Sequence, residues 1–283
     1  MMLVRRVFGL SFLLFVLTAC GSSDLSAQKK LAVGVVSYGQ GSRSLEQYQD
    51  LKNHLASQLK SIIELEPAFN EVQAVQQIER KAWDVVFAPP GLAAIAIADN
   101  QYIPLLPQGG GEKERSVIVV KQDSPQQKLS DLANATIALG QVGSATGYYF
   151  PVYNLYGMTF TEIRLAPTPQ TMLEWISKGS VAAGALSVAE FERYRTTVGQ
   201  TKFRILFRDG HPVPSGAVLV GPGVDRNLQE QVRQALESAP PSVAAGADYV
   251  ANAKPPDYSY LIKVVKRVRP IAKRIKAKPA PLY

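Results

Sequence analysis

Short unbroken apolar runs alternate with amphipathic segments along nearly the whole chain after residue 30, and that rhythm restricts the fold more than any other feature. LAVGVVSYG (31–39), WDVVFAPP (83–90), RSVIVVK (115–121), TIALG (136–140), VAAGAL (181–186) and AVLVGPG (217–223) read as strands. Runs this apolar suit strands buried on both faces, as in a mainly parallel sheet covered by helices. Between them, Leu45, Tyr48, Leu51, Leu55 and Leu59 recur at helical spacing over roughly four turns. Asn70 opens a second helix with Val72, Val75 and Ile78 on one face, and 168–179, 187–197 and 225–238 carry further helical patterns. Strand, helix, strand in this order predicts an α/β fold. With 46% hydrophobic residues in 283, the chain is large enough for two lobes.

The N-terminal segment speaks to location. Arg5 and Arg6 precede an apolar run, Val7 to Leu17, which has the length of a signal-peptide core and is short for a membrane span. It closes on Leu17-Thr18-Ala19-Cys20, which resembles a bacterial lipobox and holds the chain's only cysteine. A lone thiol in an exported chain has no internal disulfide partner, whereas acylation of Cys20 accounts for it. Residues 1–19 are therefore expected to be a lipoprotein signal peptide and 20–30 a small, polar tether, with the membrane reached through lipidated Cys20. Two of the charges that make the formal net charge +8, Arg5 and Arg6, leave with the signal. The remainder favours anionic ligands or anionic lipid, and no nucleic-acid partner is expected.

Several chemistries find no support. His54 and His211 lie far apart and the one cysteine is accounted for, so neither a metal nor any other cofactor is expected. There is no G-x-S-x-G elbow and no phosphate-loop signature. A Ser144–His211 pairing with Asp209 has nothing local in its favour, and the acids are not paired at recognisable spacing. An exported hydrolase is therefore the weakest functional reading, and no catalytic residue is assigned.

GQVGSATGYYFP (140–151) is different, because it stands where a strand turns into a helix. The first N–H groups of a helix have no partners within it, and the helix dipole adds positive potential there. Ser144 or Thr146 can cap the helix. Alternatively, Gly143 lets an oxyanion approach the amides of Ala145, Thr146 and Gly147 and the two hydroxyls. Both arrangements can hold together.

The run RSVIVVKQDSPQQKLSDLANATIALGQVGSATGYYFP (115–151) resembles the phosphate/phosphonate/phosphite-type substrate-binding proteins of ABC transporters, with their D-S-P turn, L-x-D-L helix and hydroxyl-rich turn before a helix. WDVVFAPP, TMLEWISKGSVAAGAL (171–186) and DYSYLIKVVKRV (257–268) are similar to other segments of that family. The resemblance implies a type II, periplasmic-binding-protein-like clamshell with a mainly parallel sheet in each lobe and a two-strand hinge. Residues 31–112 and 220–283 would form the first lobe and 113–219 the second. It further implies no enzymatic activity, a small anionic ligand (phosphate, phosphite or phosphonate) in the cleft, and an ABC permease as partner.

Carried over residue by residue, Ser144 and Thr146 match the first and third hydroxyls of the family's turn, while Ala145 replaces the second. Ala88 stands where an aromatic is frequent, Thr168 where a histidine is, and Ser187 and Gly216 where acids often sit. Without those acids an aminoalkyl phosphonate is disfavoured. Tyr38 and Tyr48 are candidate cleft aromatics. The expected ligand-binding set is thus Ser144, Ala145, Thr146, Gly147, Tyr38, Tyr48, Thr168 and Ser187. The lost acids and aromatic leave open a second reading, a sensor or interaction lipoprotein that no longer serves transport. Finally, eight Lys or Arg and no acid between Lys263 and Lys278 suggest a helix with a basic face, ending in a frayed PAPLY.

Overall fold

The computed structural model describes residues 29–36, 43–109 and 114–283. The signal segment, Cys20 and Tyr38 lie outside the described residues.

In chain order the first elements are β1 (Lys30–Val36), α1 (Arg43–Glu46), α2 (Gln49–Leu59), β2 (Ile62–Ala68), α3 (Glu71–Glu79), β3 (Val85–Ala88), α4 (Pro90–Asn100) and β4 (Ile103–Pro107). After a crossover come β5 (Ser116–Lys121), a single 3₁₀ turn (Leu129–Leu132), β6 (Thr136–Leu139), a π turn (Ala145–Tyr149) and α5 (Phe150–Asn154). β7 (Thr159–Phe160), β8 (Glu162–Leu165), α6 (Pro169–Ser177), β9 (Ala183–Ser187), α7 (Val188–Tyr194) and β10 (Phe203–Arg208) follow. A second crossover leads to β11 (Ala217–Val220), α8 (Arg226–Glu237), α9 (Pro241–Gly246), α10 (Ser259–Ala272) and β12 (Ala280–Pro281).

Two five-stranded sheets result, β2-β1-β3-β11-β4 and β10-β5-β9-β6-β8. Read from opposite ends, they have the same layout. Three adjacent parallel strands are followed by one antiparallel strand, and beyond it one more strand in the original sense. The antiparallel member is in each case the first strand after a crossover, β11 in one sheet and β5 in the other. The sheets are therefore mixed rather than purely parallel. Two chain passages enforce this, since each feeds its first strand into the sheet from the opposite direction.

The described strands correct the expected lobe boundaries. β11 pairs with β3 and β4, so Ala217–Val220 lies in the first sheet rather than the second lobe. The C-terminal segment does not stay with the first lobe. α10 packs on α4 of that lobe but also on the π turn and α5 of the other. β12 then pairs with β7 in register Ala280↔Phe160. Ala280 and Leu282 are fully buried, so the tail expected to fray is an ordered part of the second lobe. The helix expected from Leu45 to Leu59 is likewise interrupted at Gln47-Tyr48.

Three apolar cores follow from this topology. One lies under α2, α8 and α9 on the outer face of the first sheet, with Val33, Leu51, Phe87 and Val232 buried. Another lies under α6 and α7 on the outer face of the second, with Val119, Leu173 and Phe191. The third is continuous between the lobes and contains Trp83, Leu92, Tyr148, Phe150 and Val265. Burying such side chains stabilises by about 1.5–3 kcal/mol each.

Candidate functional site

A cleft of about 840 Å³ opens between the lobes at the carboxyl ends of the parallel strands of both sheets. This is where open α/β sheets generally place ligands, because helix N-termini gather there. Four of them border this cleft, each held by a side-chain cap. Asn70 Oδ1 accepts from the Gln73 amide at 2.9 Å at the start of α3. Thr168 Oγ1 accepts from Thr171 N–H at 3.1 Å at the start of α6. Ser187 Oγ accepts from Glu190 N–H at 3.1 Å, while the Ser187 amide donates back to Glu190 Oε2 at 2.8 Å. Ser144 Oγ accepts from Gly147 N–H at 3.0 Å. One helix comes from the first lobe and three from the second, so their positive ends converge on one space.

The 144–149 turn is wider than an α-helical one. Tyr149 N–H reaches back to Ser144 O at 3.1 Å, a π-type bond, and Tyr148 N–H shares the same acceptor at 3.2 Å. Such turns recur at functional sites. Gly143 enters it at φ +116, a conformation that glycine alone adopts without strain. The Ser116 hydroxyl fixes the turn from below, donating to Thr146 O at 2.6 Å.

Of the residues expected at the site, Ser144, Gly147 and Thr168 line the cleft. Ala145 and Thr146 are buried behind the wall rather than part of it. Ser187 is buried too, and acts on the cleft through Glu190, which its hydroxyl caps. Tyr48 is not a cleft aromatic. It is 4% exposed and stands edge-on to Phe87 with ring centroids 5.2 Å apart, inside the first lobe's outer core. Its helical phase with Leu51 and Leu55 explains this, since those residues face the same core.

The sequence reading missed two acids on the described cleft wall. Glu71, in the first turn of α3, faces Glu190 of α7 across the lobes. Burial pushes the Glu71 carboxyl up to about 7, against a smaller downward pull from its own amide and with a further push from Glu190. Glu190 is also raised, chiefly by burial and then by Glu114, although the Ser187 amide and hydroxyl pull it down. Glu190 was legible in principle, since S-V-A-E (187–190) is a capping box. Glu71 carries no local signal beyond its place after the Asn70 cap. Arg193 is the one cation on the described cleft wall, joined by Gln141 and Gln170, with Phe69 and Tyr194 as its aromatics. Among the described residues the wall therefore holds no basic trough. Any anion here is met by helix ends and amides more than by side-chain cations.

At Gly216 the structure shows why no acid stands there. A Cβ would lie 2.0 Å from Gln108 Oε1 and 2.6 Å from the Ala88 carbonyl.

The histidines have structural roles. His54 Nε2 lies 2.8 Å from Ala235 O, joining α2 to α8. His211 sits in the second crossover, 3.0 Å from Asp209 Oδ1 through Nδ1 and stacked on Tyr260 at 4.2 Å. Ser144 makes no hydrogen bond to His211 among the described residues; its hydroxyl is engaged by Gly147. The described residues also hold no cluster of three His, Cys, Asp or Glu side chains that would bind a metal.

Comparison with known proteins agrees with this architecture. No curated protein matches the sequence. Among solved structures, a Xanthomonas citri protein bound to ATP superimposes with a TM-score of 0.70 at 23% identity, covering 86% of this chain and 99% of that one. PhnD1 from Prochlorococcus marinus, in complex with methylphosphonate, gives 0.65 at 17% identity, covering 85% and 98%. A binding-protein component of an ABC phosphonate transporter from Pseudomonas aeruginosa gives 0.64 at 13%, covering 88% of each. These likenesses show a shared type II binding-protein fold. Residues 33–253 match the family described as the phosphonate periplasmic substrate-binding protein of ABC transporters. The match spans both sheets and every cleft-lining helix, and the chain belongs to that family of periplasmic substrate-binding proteins.

Proposed function

We propose that this protein is a lipid-anchored solute-binding protein of an ABC importer that holds a small phosphorus-containing oxyanion in the interlobe cleft. The observation that carries this reading is the convergence of four capped helix N-termini, Ser144 among them, on a space with a single cation among the described residues. Oriented amides suit an oxyanion, and each charge-assisted hydrogen bond is about twice as strong as a neutral one. Bound between lobes, the ligand would favour their closed arrangement and so signal to the permease.

Glu71 and Glu190 refine the ligand. Acids that the family often places near positions 187 and 216 are absent, but these two occupy the same cleft from other positions. A ligand with a proton or ammonium donor opposite its oxyanion fits both carboxyls. That restores aminoalkyl phosphonates and singly protonated phosphorus acids as candidates. The anchor at Cys20 rests on the lipobox-like sequence; among the described residues no helix is long and apolar enough to cross a membrane.

A thermal-shift screen of phosphate, phosphite, methylphosphonate, 2-aminoethylphosphonate and ATP tests the reading. A ligand at a hundred times its Kd stabilises by about 2.7 kcal/mol. Absence of any shift across the panel would overturn it. A sensor that has left transport is the second reading, favoured by the rebuilt positions Ala88, Ser187 and Gly216. A permease gene beside this one argues against it.

A further inference from the structure

The C-terminal helix carries a surface that solute binding does not use. On α10 the side chains of Leu261, Val264, Val265, Val268 and Ile271 are buried against both lobes. The opposite arc bears Lys263, Lys266, Arg267 and Arg269, all exposed, and the segment beyond adds Lys273, Arg274, Lys276 and Lys278. No acid interrupts this series. Asp257, just before the helix, is the nearest on the same segment. Four of the cations are occupied: Arg269 pairs with Asp99, Lys278 with Glu162 at 2.9 Å, Arg274 donates to the Tyr283 carbonyl oxygen, and Arg267 lies 4.9 Å over the Tyr156 ring. Lys263, Lys266, Lys273 and Lys276 have no ion-pair partner among the described residues.

A basic arc alone is an ordinary solvated helix face. Here it adjoins two exposed aromatics of the α5 region. Tyr153 is 39% and Tyr156 47% exposed, and Arg267 bridges the second to the helix. Cations beside outward tyrosines are the make-up of a face that rests at a bilayer interface. There the rings sit at headgroup depth, and lysine stems extend toward the lipid charges. Each basic residue near an anionic leaflet adds attraction that decays within a Debye length.

We propose that the α10 face, with Tyr153 and Tyr156, docks the folded body on an anionic phospholipid surface. The proposal draws on the anchor reading for proximity only. Eight residues lie between Cys20 and Lys29, a reach of about 30 Å at full extension, so an acylated chain holds the folded body close to the bilayer.

Lysine footprinting tests it. The full chain is reconstituted in vesicles of phosphatidylcholine alone or with one third phosphatidylglycerol, and amine acylation is followed by mass spectrometry. Lys263, Lys266, Lys273 and Lys276 are expected to react at least about fivefold more slowly with the anionic lipid. The protection should vanish near 0.5 M salt, where screening shortens to about 4 Å. Lys60 and Lys202 should react equally in both. Equal rates at the four lysines, or equal protection in pure phosphatidylcholine, overturn the proposal. So does protection that appears only when the permease is added, which would assign the face to an acidic protein surface. Retention on phosphatidylcholine vesicles reports the anchor separately, so the two ideas fail independently.

Discussion

Gly91 and Gly143 touch across the lobes: a Cβ built on Gly91 would lie 2.0 Å from the Gly143 carbonyl oxygen and 2.7 Å from the Ala145 amide nitrogen. The first turn of α4 thus seats directly on the turn that opens the second lobe's π helix. Alanine in a helix ordinarily gains up to about 1 kcal/mol over glycine. At 91 the overlap is with backbone, which cannot rotate away, and overpacking of this kind costs about 1–3 kcal/mol. Gly91→Ala should therefore lower the Tm by several degrees and weaken ligand binding by shifting the 143–147 turn. Gly223→Ala, where nothing lies within 4 Å, is the control and should be near neutral. Equal melting of both variants would refute the contact's importance.

Ser144 has two tasks in the proposed reading, capping the turn and facing the ligand. Removing a serine cap costs about 1 kcal/mol, so Ser144→Ala should destabilise by that amount and weaken the ligand's affinity as well. Thr146→Val, behind the wall, should leave affinity closer to wild type. Isothermal titration of both variants distinguishes them, and a larger loss at Thr146 would contradict the arrangement.

Glu71 makes stability depend on pH in a defined sense. Its folded pKa of about 7 lies above the ordinary 4.5, so the native state holds its proton longer than the unfolded chain does. This group's contribution is most favourable below about pH 4.5, falls as pH rises, and is fully lost above about pH 7. The full shift corresponds to about 3 kcal/mol, less whatever solvent at the cleft wall screens. Glu71→Gln should thus be more stable than wild type at pH 8 and little different at pH 4.5. Chemical denaturation across that range reads the slope; an unchanged slope would remove Glu71 as its source.

The tail should be structural. Leu282 is fully buried, its amide donates to Met158 O at 2.9 Å, and its carbonyl accepts from Gly157 N–H at 2.8 Å. Losing a buried leucine costs about 2–5 kcal/mol. Deleting residues 280–283 should lower the Tm by about 5 °C or more. A deletion that melts like wild type would mean the tail is dispensable.

Much of the fold was legible because buried strands read as apolar runs. The strands expected in WDVVFAPP, TIALG and VAAGAL became β3, β6 and β9, and the helices expected from Asn70 and from residue 168 became α3 and α6, which those two residues cap. What escaped was set by partners distant in sequence. Nothing in AVLV shows that β11 runs against β3, and nothing in Ala280-Pro281 points to Phe160, more than a hundred residues earlier. At the site, Ser144 stood out because small hydroxyls after a strand have few other uses. Glu71 did not, since which side of a helix start meets another lobe is a tertiary fact. Tyr48 carried two expectations, a place on the helical stripe and a place in the cleft, and its spacing with Leu51 and Leu55 decides for the core-facing stripe.

The route of the C-terminal segment has a consequence for how the molecule can be taken apart. Residues 116–208 supply all five strands of the second sheet, yet they are not a cassette that can be cut out and closed over. The same excision would strip α10 of α5 and β12 of β7, leaving a greasy helix face and an unpaired edge on the remnant. Conversely, the excised piece would lack the helix that roofs its own π turn. The two halves are interlocked by a borrowed third passage of chain, so swapping lobes between relatives requires exchanging residues 259–283 along with the insert.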